Sequence, residues 1–551
     1  MNKKNITYLI LAIALLLGVF GVFKFRIDLT KEKRYTLSEQ TLNVLKSVEN
    51  PLTFEVYLDG DFPASFKQLQ SETRFMLEEF RRINPKIDFK FIDPIATKMP
   101  QDTLEAMGMQ PSMLPYKKDG KFTNIVLYPY AVLKYKKRGI STPLIIEQQG
   151  LDASEQLTKS IENLEYNLIS NLKSITSEMQ KNIGILINQD ELGPKEFAGF
   201  MELASENYTA FPIIPKNGVE LALDDVPNLK RTDALVVAKP RKAFTTNEKV
   251  ILDQYIMNGG KTLWMIDAVN AEMDTLTRSK RIMPYPIDLN MTDFFFNYGI
   301  RINSVLVKDL QKFSLLKIIT GEVSGNPQYA SLPWPYFPIG IAENNHPITK
   351  NINPVKFEFP TFIDTLGRKN IKTEVLFESG EKTILKQVPN FVELKEIASV
   401  DSLGMREIPS VPKIYAVALE GKFTSAYANR IEKNDYPNFK NESPENKMVI
   451  IADGDVGRNA LHKGEPLPLG VDLLTQQQYG NVQFLRNVLD FLLDDSNLIE
   501  LRNRNIEARL LDLQRIDEEK SKWQWFNLLI PILTIGLIGG FFVFLRKKKF
   551  A

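Results

Sequence analysis

The sequence predicts an α/β protein whose bulk is a doubly wound parallel sheet, carried between two apolar helices at the ends of the chain. Three observations carry that expectation. Short apolar runs, Ile183-Gly-Ile-Leu-Ile187, Ala234-Leu-Val-Val-Ala238 and Lys447-Met-Val-Ile-Ile-Ala452, alternate with amphipathic segments, the pattern of parallel strands covered on both faces by crossover helices. Residues 6–23 and 525–545 carry no charged side chain. Each is long enough to cross a hydrocarbon core of roughly 30 Å as a helix. With 551 residues, 44% of them hydrophobic, the chain can also bury several cores.

The N-terminal span follows a short segment, residues 1–5, with Lys3 and Lys4. No small-x-small cleavage site precedes Lys24, so an uncleaved anchor is expected. At the other end Trp523 and Trp525 flank the span, and the basic tail 546–551 begins Arg546-Lys547-Lys548-Lys549. That charge places the tail in the cytoplasm. Two spans then put both termini there, with the rest of the chain periplasmic: a two-pass protein of the inner membrane.

Residues 24–150 read as the first exterior domain. Ser38 caps a helix carrying Leu42, Leu45 and Val48, which Pro51 ends. Residues 52–58 alternate as a strand, and Asp59-Gly-Asp61 turns. Phe66, Leu69, Met76 and Phe80 mark a helix, and Ile87, Phe89 and Phe91 a second strand. This βαβ unit implies parallel pairing. Strand-like runs at 124–128 and 130–136 follow. The layout resembles a thioredoxin-like domain, but residues 59–66, where the CxxC would lie, hold no cysteine, and the chain contains none. Thiol chemistry is excluded, and the unit reads as a structural or binding module.

Residues 151–176 form a linking helix: Asp152 with Glu155 makes a capping box, and Leu157, Ile161, Leu164, Leu168, Leu172 and Ile175 form its stripe. Residues 177–497 form the doubly wound domain. Its helices are expected at 194–207, at 246–257 with Thr246 as cap, and at 482–493. An insertion at about 270–446 has weak periodicity and frequent proline and is expected to be β-rich with long loops, and Ser331–Ile339 (SLPWPYFPI) within it reads as an aromatic loop. Residues 498–522 are expected to be an amphipathic stalk helix leading into the second span.

Enzyme signals are sparse. No GxxxxGK[ST] sequence occurs, so this chain is not the ATPase of a transporter. HExxH is absent, and the histidines are His346 and His462. No catalytic residue, metal or cofactor is expected. A net charge of +2 gives no field for nucleic acid. Parallel α/β sheets take ligands at the carboxyl ends of their strands. Here those ends carry Asn188-Gln-Asp190, Lys239-Pro-Arg241, Asp267 and Asp453-Gly-Asp455. Asp190, Asp267, Asp453 and Asp455 are the candidates for a cation or sugar, and Trp334 and Tyr336 for a saccharide platform. Capping and turn formation are the commoner roles of strand-end acids, and sheet packing of such aromatic residues. Carboxylate-based hydrolysis is a third reading. Glutamine-amidotransferase-like folds share this strand and helix order, but their cysteine nucleophile has no counterpart here.

Four segments resemble the auxiliary proteins of gliding-motility-associated ABC transporters found in gliding Bacteroidetes. They are RIDLTKEKRYTLSEQT (26–41), HPITKNINPVKFEFP (346–360), IIADGDVGRN (450–459) and LRNRNIEARLLD (501–512), and the order of parts agrees along the chain. The resemblance implies a membrane-anchored, non-catalytic subunit that docks on a separate permease and a separate ATPase. It implies no catalytic residues. A periplasmic saccharide-binding module is the alternative.

Overall fold

The computed structural model describes residues 36–60, 64–118, 121–146, 148, 150–177, 180–323, 326–399, 411–428, 430, 438–503 and 513–550. The span expected at 6–23 lies outside the described residues.

Helix α1, Glu39–Lys46, starts at Ser38, whose hydroxyl accepts the Thr41 N–H at 3.0 Å. β1 (Leu52–Val56), α2 (Ala64–Ile83) and β2 (Ile87–Phe91) form the expected right-placed unit, with β1 and β2 parallel from Leu52↔Ile87 to Val56↔Phe91. β3 (Tyr130–Tyr135) and β4 (Arg138–Pro143) extend the sheet antiparallel, in the order β2-β1-β3-β4. The run expected as the next strand instead pairs as a separate hairpin, Lys121–Leu127 with Ser112–Lys118.

The linking segment is two helices, α3 (Ala153–Glu162) and α4 (Leu164–Thr176). They break at Asn163, whose side-chain amide donates to the Lys159 carbonyl at 2.9 Å. Periodicity could not show this break, because the apolar stripe continues through it. The Asp152/Glu155 capping box forms as its spacing predicts.

A nine-stranded mixed sheet dominates the second domain. Its parallel half contains β5 (Asn182–Leu186), β6 (Thr209–Ile213), β7 (Ala234–Ala238) and β8 (Lys261–Met265). Helix α5 (Ala198–Asn207) lies between β5 and β6, and α6 (Thr246–Met257) between β7 and β8. The cap of α6 is Thr245, one residue earlier than expected, in a capping box with Glu248. The insertion supplies β9 (Ile300–Asn303), β10 (Phe313–Val323), β11 (Asn326–Gly340), β12 (Phe362–Thr365), β13 (Ile371–Glu378) and β14 (Ile414–Thr424), and β15 (Glu442–Ile451) returns to the parallel half. The order is β9-β12-β14-β15-β8-β7-β5-β6, with β13 also on β14. The pairs from β15 to β6 are parallel. Those on the insertion side are antiparallel. The wholly parallel sheet of the sequence reading is therefore corrected to a mixed one.

Alternation along the strands builds two cores. Ile183, Val236, Leu263, Met265 and Val449 face α5 and α7 (Asn481–Leu493), in a cluster continuous with the N-terminal domain through α4. Leu186, Leu235, Trp264 and Ile450 face α6 on the other side. The aromatic, proline-rich segment is also corrected. Ser331–Ile339 lies within β11, paired with β10, and the register shift at Phe313/Ser314 accommodates Pro335 where a ladder N–H is not needed.

Leu498–Asn503 is a 3-10 turn with Leu498, Ile499 and Leu501 buried in the core, where the sequence suggested the start of a solvated stalk. Helix α8, Leu513–Phe550, follows the undescribed residues, and Glu519–Val543 within it is long and apolar enough to cross a membrane, with none of that stretch buried.

Candidate functional site

Three adjacent parallel strands end side by side and bring together the residues that follow them. Lys239 follows β7, Asp267 follows β8, and Asp453-Gly454-Asp455 follows β15. Lys239 adopts φ 57°, a left-handed conformation that costs a residue with a Cβ about 1–3 kcal/mol. In return its side chain turns inward and is 2% exposed. Gly454 is required opposite it: a Cβ there would lie 2.6 Å from the Lys239 Cγ.

The Lys239 ammonium contacts Asp455 Oδ1 at 2.6 Å, Asp267 Oδ2 at 3.2 Å and Glu272 Oε1 at 3.1 Å. Arg458 closes the opposite side, on Asp455 at 3.3 Å, Glu272 at 3.2 Å and Glu196 at 3.1 Å. Arg241 reaches Glu272 from the rim at 3.2 Å. Asp453 takes backbone donors instead: the Asp455 N–H at 2.7 Å and the Glu358 N–H at 2.6 Å. Asp267 accepts the Gly454 N–H at 2.5 Å. A neighbouring ion pair, Lys356 with Glu358 and Asp472 at 2.6 Å each, abuts the cluster through Glu358.

Carboxylates outnumber cations here, and titration reflects it. Burial pushes Asp267 up to about 6, against the pull of Lys239. Burial and the charges of Asp455 and Asp267 hold Asp453 well above the carboxylate range. For Asp455 burial acts upward too, but Lys239 and Arg458 outweigh it and keep the group ionised. Lys239 stays above its ordinary value because Asp267, Asp455 and Glu272 overcome its desolvation.

Oxygens of Asp267, Asp453 and Asp455 lie within 4.8 Å of one another, a spacing compatible with metal ligation. The central cation position between Asp267 and Asp455 is filled by the chain's own ammonium group. The centre of the arrangement is buried, with Lys239, Asp267 and Asp455 side chains 2%, 8% and 4% exposed, and Glu272, Glu196 and Arg458 form a partly exposed rim at 24%, 24% and 21%.

The strand-end rule thus locates Asp267, Asp453 and Asp455 in one cluster. Asp190 stands apart, exposed, in the turn after β5 with φ 59°. Trp334 and Tyr336 are 0% exposed in the insertion's own core beside Phe337 and Phe359, and the Tyr336 hydroxyl donates to Glu396 at 3.1 Å. Neither ring presents a face to a ligand. Glu272, Arg458 and Glu196 were not foreseen, since they come from irregular segments. Arg458, three residues beyond Asp455, was the one available signal.

A cavity of about 450 Å³ opens elsewhere, lined by Asn43, Ser47, Tyr135, Lys173, Thr176 and Ser496, where α1, β3 and α4 meet the segment after α7.

Comparison with known proteins gives a family match. A family model described as an ABC-type uncharacterized transport system matches residues 180–488, which include every residue of the acidic cluster, and a domain of unknown function matches residues 31–134. A protein of Borreliella burgdorferi described as uncharacterized is 22% identical over 561 residues, covering 99% of this chain and 98% of its own length. Among solved structures, the mmIFT52 N-terminal domain aligns with a TM-score of 0.31 and 11% identity, over 56% of this chain and 96% of that one.

Proposed function

The chain belongs to the family described as an ABC-type uncharacterized transport system, and on that premise we propose that it is a non-catalytic accessory subunit, anchored in the inner membrane and docked on a separate permease and a separate ATPase. The observation that carries this reading is the apolar stretch Glu519–Val543 of α8, none of which is buried against the folded domains. Its Gly536 and Gly540, one turn apart, have nothing within 4 Å of where a side chain would begin, which leaves room for another membrane helix to approach closely. Residues 6–23 are the second span of this reading, with both termini cytoplasmic and the domains periplasmic. The resemblance of the segments quoted above supports a role in gliding motility as part of this proposal. We read the four-stranded domain as thioredoxin-like and the larger one as amidotransferase-like, both serving as scaffold.

The burial of Asp267, Asp453 and Asp455 supports the non-catalytic part of the proposal. Saccharide binding or hydrolysis through Asp267, Asp453, Asp455, Trp334 and Tyr336 would require uncovering side chains that are buried here. The test is purification of the tagged full-length protein in mild detergent, with mass spectrometry of what accompanies it. Recovery of a multispan permease and an ABC ATPase in fixed ratio is expected. Recovery of the chain alone overturns the docking reading.

A further inference from the structure

The cavity of about 450 Å³ lies between α1 and β3 of the first exterior domain and α4 with the segment after α7. Two helices end at it. α1 stops at Lys46 and α4 at Thr176, and the residues that follow them, Ser47 and Ser177, both line the space. A helix carries a partial negative charge at its C-terminus, which favours a cation there. The lining hydroxyls share that preference. Ser47 Oγ donates to the Val44 carbonyl at 2.7 Å, Thr176 Oγ1 to the Leu172 carbonyl at 2.8 Å and Ser177 Oγ to the Lys173 carbonyl at 2.9 Å. A hydroxyl has one proton to give. With that proton committed to its own helix, each of the three offers a ligand only lone pairs.

Among the described residues, the charged side chains of the lining are Lys173 and Glu49. Lys173 is already matched, by Asp494 Oδ1 at 2.5 Å. Glu49 stands on the exposed segment between α1 and β1, and among the described residues no cation pairs with its carboxylate. Lys86 reaches its carbonyl instead, at 2.6 Å, and Arg138 takes the Ser177 carbonyl at 3.3 Å. The unmatched lining charge is therefore negative. The remaining donors of the wall, the Tyr135 and Ser496 hydroxyls and the Asn43 amide, are neutral. Val44 and the ring of Tyr135, each 7% exposed, supply its apolar part. The volume falls in the range of small-molecule sites, roughly 300–1,000 Å³, and a bare metal ion would leave most of it unfilled.

We propose that this cavity binds an aliphatic amine of the diamine or polyamine class, its ammonium groups paired with Glu49 and the hydroxyl oxygens of Ser47, Thr176 and Ser177 and its methylene stem against Val44 and Tyr135. An ammonium has three protons to donate and no lone pair, which suits a wall of acceptors. A carboxylate or phosphate would instead meet Glu49 and the negative ends of two helices. The site touches α1 and α4 together, so occupancy stabilises the junction of the two exterior domains. It needs neither permease nor ATPase and stands or falls independently of the docking reading.

The probes are putrescine and spermidine as chloride salts, titrated calorimetrically into the full-length protein in a non-ionic detergent at fixed ionic strength. Butane-1,4-diol, which matches putrescine in length without its charge, and inorganic phosphate are the comparisons. Saturable binding of at least one amine is expected, with a rise in melting temperature, and no binding of the diol or of phosphate. Glu49→Gln, at an exposed position, should weaken amine binding by about tenfold and leave the circular dichroism spectrum unchanged. Ser47→Ala should weaken it by a smaller factor. Absence of saturable amine binding overturns the proposal, as does equal binding of the diol or of phosphate, or an unchanged affinity in Glu49→Gln. If that variant does not fold, an unchanged affinity in Ser47→Ala overturns it equally.

Discussion

Replacing Lys239 with methionine tests the account of the acidic cluster. Methionine fills much of the same volume but removes the ammonium that contacts Asp455, Asp267 and Glu272 at 2.6, 3.2 and 3.1 Å. The site is 2% exposed, so water cannot compensate the loss. Removing one partner of a buried ion pair costs about 3–5 kcal/mol, and at neutral pH that range is expected here. The cost should depend on pH in a definite direction. Without Lys239, Asp455 keeps only Arg458 as a cationic partner and Asp267 loses the pull of Lys239, so both carboxyls rise. A group whose folded pKa is raised favours the folded state most when protonated. The variant should therefore be nearest to the parent at about pH 5 and fall progressively further behind as pH rises through neutrality. Urea unfolding read by the fluorescence of Trp264 and Trp334, both buried, gives the difference at each pH. Adding Asp455→Asn to Lys239→Met should recover more than half of the loss at neutral pH, because it removes the charge that Lys239 balanced. A cost under about 1 kcal/mol, or one independent of pH, would refute the reasoning.

Two further outcomes follow from the same geometry. In the parent, Asp267 is raised to about 6, so the stability contributed by its protonation is present at low pH and lost as pH rises through that value. Asp267→Asn should flatten that part of the melting-temperature profile between about pH 4 and 7. Gly454→Ala would place a Cβ 2.6 Å from the Lys239 side chain. It should destabilise the second domain by about 1–3 kcal/mol in urea unfolding.

Much of the architecture was legible because it depends on short-range physics. Asp152 and Glu155 stand three apart, and a capping box needs no more than that. The apolar runs at 183, 234 and 447 became sheet strands because only an interior covered on both faces removes such runs from water. Only the Ser331–Ile339 segment of the β-rich insertion was misread, for the converse reason. Its prolines disfavour a strand by local rules, and a bulge in the pairing with β10 removed the conflict. That bulge depends on a partner whose register no local window contains.

The cluster shows the same division more sharply. The strand-end rule selected Asp267, Asp453 and Asp455 from sequence order alone, because strands of a parallel sheet end at one edge. It selected Asp190 with equal force, and only the fold separates them: Asp190 remains in an exposed turn, whereas the other three meet around Lys239. The sequence by itself determined the apolar helix at 525–545, the absence of thiol chemistry and the presence of buried parallel strands, since each follows from composition or spacing within a few residues. The tertiary structure decided that the sheet is mixed, that Trp334 and Tyr336 are core residues, and that a lysine fills the acidic cluster. Those outcomes depend on side chains far apart in sequence sharing one buried volume, where desolvation and Coulomb attraction act on the assembled group and on no single segment.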